Sequence, residues 1–196
     1  MEPGVSMVSG IILAAGFSRR LGLDKLLLEI NHGTIIENVI RAAVESSLDE
    51  IILVYRREVV KDIADSYRIK TVKNEDAKDG QSTSVVKGIR AANPTTDAYL
   101  FMVGDQPFLN SETINHILDC HVKNPGQIIV PLYDDHAGNP VLFPVSFKND
   151  LLLIRGDTGG RSVIQAFKDR VTHICIEQSS IGYDVNTTAD LENIKK

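Results

Sequence analysis

Ile11-Ile12-Leu13 is an unbroken apolar run that ends in Ala14, Ala15 and Gly16, and this short stretch constrains the fold more than any other. A strand apolar on both sides of its pleat belongs in a sheet covered on both faces. Small residues at its end let another molecule approach the backbone. Ser18, Arg19, Arg20, Gly22 and Lys25 follow, a loop of exposed amides and cationic side chains suited to a polyphosphate. Neither Gly-x-x-x-x-Gly-Lys-Ser/Thr nor Gly-x-Gly-x-x-Gly occurs, so the loop is of a third type. As bare sequence it also suits a solvated strand-to-helix turn.

The rest of the chain alternates between the two periodicities. Helical spacing covers Thr34–Val44 with Thr34 as cap, Val59–Tyr67, Ser82–Ala92, Ser111–Val122 with Ser111 as cap, Phe147–Ile154, Ser162–Phe167 and a last helix from Thr188. Strand-like runs lie at Ile51–Tyr55, Lys70–Val72, Ala98–Val103, Ile128–Pro131 and Thr172–Ile176, and Val141–Phe143 reads as a hairpin arm added to the sheet. This order predicts an α/β fold, a single-domain three-layer α/β/α sandwich with a mostly parallel sheet and ligands at the carboxyl ends of its strands. One domain spans residues 1–196, with 1–6 a loose start.

Charge and cysteine usage narrow the function. A net charge of −5 argues against nucleic acid or an anionic membrane as partner, and no apolar run reaches membrane-spanning length. Cys120 and Cys175 stand alone, outside any ligand spacing, which points to a reduced cytoplasmic protein without structural zinc and to two buried packing residues. His32, His116, His121 and His173 read as surface or capping residues. Asp105 directly follows an apolar strand and precedes Gln106-Pro107, which places a carboxylate where Mg²⁺ would accompany a triphosphate. Taken alone, Asp105 also suits a turn cap, and Asp184 an Asx turn.

Leu13-Ala14-Ala15-Gly16-x-Ser18-x-Arg20-x-Gly22-x-x-Lys25 resembles the opening signature of nucleotidyltransferases, in particular those acting on molybdenum cofactor. Gly104-Asp105-Gln106-Pro107 resembles their Gly-Asp-x-Pro metal motif, and Gly80-Gln81-Ser82-Thr83-Ser84 their Gly-x-Ser-x-Ser segment at the nucleobase. Near the end, Asp184-Val185-Asn186-Thr187-Thr188-Ala189-Asp190-Leu191 is similar to Asp-Ile/Val-Asp-Thr-Pro-Glu-Asp-Leu, with Asn186 where the second metal-assisting Asp is common. Gly138-Asn139-Pro140 resembles the Gly-His-Pro segment of the cytidylyltransferases, and Gly156-Asp157-Thr158-Gly159-Gly160-Arg161 their Gly-Asp-x-Gly-Ala-Arg loop.

The resemblance implies a nucleotide-diphospho-sugar transferase-like fold and a Mg²⁺-dependent transfer of CMP from CTP to the phosphate of molybdopterin, releasing pyrophosphate. Arg20, Lys25 and Asp105 would be catalytic. Leu13, Ala14, Ala15, Gly16, Ser18, Gly80, Ser82, Ser84 and Gly104 would join them around the nucleotide. Gly138, Asn139, Pro140, Asp157, Gly159 and Arg161 would face the acceptor, and Asp105, Asp184 and Asn186 the metal. A molybdenum hydroxylase apoenzyme is the implied downstream partner. Alternatives are a relative using GTP or a sugar phosphate, and a non-catalytic cofactor chaperone.

Overall fold

Strand β1 (Val8–Ala14) occupies the middle of an eight-stranded sheet and sends its side chains alternately to two cores. The computed structural model describes residues 6–17, 24–30 and 33–185. Val8, Ile12 and Ala14 enter one core and Ile11 the other, as the period of two requires of a strand covered on both faces. β4 (Glu50–Tyr55) and β6 (Ala98–Val103) repeat the pattern, β1 pairing in parallel with both, and the edge strand β5 (Lys70–Lys73) pairs in parallel with β4. β7 (Ile128–Tyr133) carries the two-residue β8 (His136–Ala137) as a hairpin and pairs in parallel with the edge strand β10 (Val171–Ile176). β9 (Val141–Pro144) lies between β7 and β6, antiparallel to both. The hairpin arm expected from sequence is therefore an interior strand. A separate small ladder joins β2 (Glu29–Ile30) to β3 (Gly33–Thr34), which sequence periodicity does not reveal.

Helices cover both faces, giving the expected three layers. α1 (Ile35–Val44), α2 (Glu58–Ser66) and α4 (Ser111–Lys123) bury Ile36, Val39, Ile40, Val60, Ile114 and Ile117 in the first core. α3 (Gln81–Ala91), α5 (Lys148–Leu153) and α6 (Arg161–Ala166) bury Val85, Ile89, Leu151 and Val163 in the second. Thr34 caps α1 as expected: its hydroxyl accepts from the Glu37 amide while Glu37 reaches back to the Thr34 amide, a full capping box. Asn110, rather than Ser111, caps α4, its side chain accepting from the Thr113 amide at 2.9 Å. At Gly88 a Cβ would lie 2.4 Å from Ile11 Cγ2, so glycine there lets α3 rest directly on β1.

Two placements correct the sequence reading. His121 is buried because it continues the inward face of α4 defined by Ile114, Ile117 and Leu118. Cys175 is exposed because it alternates with buried Ile174 on the edge strand. Among the described residues no helix is long and apolar enough to cross a membrane. The expected helix from Thr188 lies outside the described residues.

Candidate active site

The carboxyl ends of β1 and β6 open into a cleft of about 640 Å³. Leu13, Ala14, Ala15 and Gly16 form one wall, Gly104 and Asp105 the next, and Gly80, Gln81 and Ser84 at the start of α3 a third, with Lys25 and Asp157 facing in. Three separate stretches singled out in the sequence thus meet in one place. The strand order explains why. From β1 the chain steps outward to β4 and β5, then returns to β6 on the opposite side of β1, so the β1–β6 crevice is a topological switch point.

Lys25 and Asp105 form an ion pair in this crevice, their side chains only 14% and 20% exposed. Lys25 begins a 3-10 turn capped by Asp24, which accepts from the Leu26 amide and is held in turn by Arg57 at 2.6 Å. Gly104 donates its amide to Leu13 O at 3.1 Å, and a Cβ on it would press against Ile36 at 3.2 Å. The loop carrying Asp105 is thereby seated on β1 and α1. Next to it, Val185 donates to Asp105 O at 3.1 Å, which brings the segment after β10 back to the same edge.

Asp184 sits within this convergence. Burial pushes its carboxyl up to about 6 and the negative charge of Asp105 adds to the rise, while a Gln106 hydrogen bond, Lys25 and Arg161 oppose it. Oδ1 of Asp184 and Oε1 of Gln106 are buried and accept no hydrogen bond within the structure. Orphaned oxygens beside a second carboxylate are the donor chemistry of a hard divalent cation. Among the described residues no group of three acidic, histidine or cysteine side chains is assembled. The orphaned oxygens beside Asp105 fit a cation shared with substrate phosphates, of the kind one or two carboxylates and water complete.

On the α3 side, Gly80 adopts φ +105, and a Cβ there would fall 2.3 Å from Gly156 C, so the 156–160 loop packs directly on the helix start. Asp157 Oδ1 accepts from the Gln81 amide at 3.1 Å and satisfies one of the free donors at the head of α3. Ser84 faces the cleft, its hydroxyl accepting at 2.8 Å from Asn74, whereas Ser82 is buried away from the lining. Gly159 lies against the Gln81 side chain, and Arg161 opens α6. Gly138, Asn139 and Pro140 are not part of the cleft lining; Gly138 lies against the Tyr133 ring, and the Tyr133 hydroxyl donates to Asn139 O at 2.6 Å. Ser18, Arg20 and Asn186 lie outside the described residues.

Sequence reasoning did not single out Asn74, and gave Gln106 no role beyond its place in the Asp105 motif. Asn74 is fully buried, donates to Thr83 and Ser84, and bonds Tyr55 O through its amide at 2.6 Å. Gln106, 1% exposed, donates to Gly182 O at 3.2 Å. Asn74 directly follows β5 and Gln106 follows Asp105 in the loop after β6, and a polar residue so close to a strand's carboxyl end is the signal that marks them.

The MobA-like NTP transferase domain matches residues 10–171. The molybdenum cofactor cytidylyltransferase of Escherichia coli is 33% identical over 141 residues, 70% of each chain. A protein named probable molybdenum cofactor guanylyltransferase in Natranaerobius thermophilus is 26% identical over 201 residues, covering 96% of this chain and 95% of its own. A solved nucleotidyl transferase from Methanothermobacter superposes with a TM-score of 0.83 at 23% identity, over 97% of this chain and 96% of the other. The crevice at the switch point, its lysine–aspartate pair and these matches agree: the chain belongs to the MobA-like NTP transferase family and is a nucleotidyltransferase.

Proposed function

We propose that this enzyme transfers CMP from CTP to the phosphate of a molybdopterin-type acceptor and releases pyrophosphate, with Mg²⁺ as its cation and a molybdenum hydroxylase apoenzyme as the eventual recipient of the product. The observation that carries the reading is the Lys25–Asp105 pair at the floor of the β1–β6 crevice, with Asp184 beside it. An acceptor phosphate oxygen attacks the α-phosphorus as the bond to the β-phosphate oxygen breaks, so no covalent enzyme intermediate is required. The enzyme's part is alignment and charge neutralisation. Lys25 meets negative charge on the triphosphate, and Arg20 is assigned the same task from its place in the loop. Asp105, Asp184 and Asn186 are the residues assigned to the metal, which when bound offsets phosphate charge and fixes phosphate geometry.

CTP is favoured over GTP by Ala15. Ala14-Ala15-Gly16, which lines the cleft, stands where guanylyltransferase relatives carry the Ala-Gly-Gly type and is similar to the cytidylyl branch. The name of the Escherichia coli relative supports the same choice, and that of the Natranaerobius relative supports GTP. Pyrophosphate release measured with CTP, GTP and ATP, each with Mg²⁺ and molybdenum-loaded molybdopterin, decides the matter. CTP is expected to exceed GTP by roughly tenfold or more, the ratio that about 1.4 kcal/mol of pocket discrimination gives. Faster turnover of GTP overturns the nucleotide assignment, and turnover independent of molybdopterin overturns the acceptor.

A further inference from the structure

We propose that Tyr133 is a positioning residue that sets the spacing between the Gly138–Pro140 segment and the Asp105–Asp184 carboxylates, an inference that rests on the transfer reaction above and on the assignment of Gly138–Pro140 to the acceptor. Tyr133 ends β7 and is 7% exposed. Its hydroxyl holds Asn139 O at 2.6 Å. Two glycines close on its ring. A Cβ at Gly138 would lie 2.8 Å from Cδ2 and Cε2, and one at Gly182 would lie 2.5 Å from Cδ2 and 2.6 Å from Cγ. Any larger residue at either position would displace the ring, so both backbones are seated on it.

The second of these segments leads straight to the carboxylates. Gln106 donates to Gly182 O at 3.2 Å, and Val185 donates to Asp105 O at 3.1 Å. The first segment is independently tied, Gly138 donating to Pro131 O at 3.0 Å. Tyr133 is therefore the shared support of two chain segments, one just after β7 and one after β10. Burial, and after it the charge of Asp184, keeps the phenol protonated well above neutral pH, so its hydroxyl remains a donor to Asn139 under working conditions. A phenylalanine would fill the same volume but leave that carbonyl unpaired.

The two contacts separate in kinetics. Tyr133→Phe is expected to raise the KM for molybdenum-loaded molybdopterin about five- to tenfold, the ratio one hydrogen bond gives, with the nucleotide KM and Mn²⁺ affinity within about twofold of wild type. Gly182→Ala, whose Cβ would meet the ring and displace the segment that leads to the carboxylates, is expected to lower kcat with little change in acceptor KM. An unchanged acceptor KM in Tyr133→Phe, or an equal rise in both KM values, overturns the inference. Hydrogen exchange supplies a readout that needs no turnover: Tyr133→Phe should speed exchange of the Gly138 amide and leave the Val185 amide unchanged. If wild type releases no pyrophosphate with any triphosphate, the transfer reading fails. The exchange result still decides the role of Tyr133, an unaltered Gly138 amide in Tyr133→Phe counting against it.

Discussion

At the residue scale, the site is a set of charges placed closer together than water would favour. Asp184 shows this most clearly, because its carboxyl is raised from 3.8 to about 6 by burial and then by Asp105. A raised carboxyl means that the folded protein binds more protons than the unfolded chain between those values, so stability falls as pH rises through that window and stays lower above it. Asp184→Asn removes the effect. Without added metal, urea unfolding should find the variant more stable than wild type by up to roughly 3 kcal/mol at pH 7.5, with the gap closing toward pH 4. A gap that is constant with pH would show that Asp184 is not strained by its surroundings. A bound cation would reverse the balance by pairing with the carboxylate, which is the physical reason to keep such a residue at this edge. Asp105 was legible as a residue of the sheet's carboxyl edge because motif and strand end coincide there, and Lys25 through its place in the opening motif. Tyr133 and Asn74 were not, since their roles come from a hydroxyl and an amide whose partners lie in other segments or on a neighbouring helix.

At the scale of elements, the cleft depends on how closely α3 lies on β1. Gly88 meets Ile11, and the start of the same helix carries Gly80 and Ser84 into the cleft wall. Gly88→Ala forces either Ile11 or the helix to move. Overpacking of this kind costs about 1–3 kcal/mol, and thermal unfolding should report it together with a raised nucleotide KM. Wild-type values for both would mean that α3 does not set the wall. Element identity was largely readable, because apolar runs and helical spacing are local properties: α1 with its Thr34 cap, β4 and β6 fall where periodicity places them. The place of β9 was not readable. Its insertion between β6 and β7 depends on pairing with strands about 40 and about 10 residues earlier, and nothing in Val141-Leu142-Phe143 distinguishes an edge arm from an interior strand. His121 was misread for a simpler reason, as its type was given more weight than its helical spacing from Ile114.

At the scale of the whole molecule, a single topological fact gathers the chemistry. The chain reverses its direction of strand addition at β1, so loops distant in sequence are delivered to the β1–β6 crevice. The loop after β6 brings Asp105, the 3-10 turn at Lys25–Leu27 brings Lys25, and the segment after β10 brings Asp184. The 156–160 loop closes the α3 side through Asp157. Of these segments, the match to the MobA-like NTP transferase domain covers those within residues 10–171. The most direct test is pyrophosphate release from CTP with Mg²⁺ and molybdenum-loaded molybdopterin, comparing wild type with Asp105→Ala after circular dichroism has shown both to be folded. The account predicts a loss on the order of 10²–10³ in kcat for the variant, the usual cost of removing one charge-stabilising group from a preorganised site. Release at the wild-type rate by Asp105→Ala would contradict it.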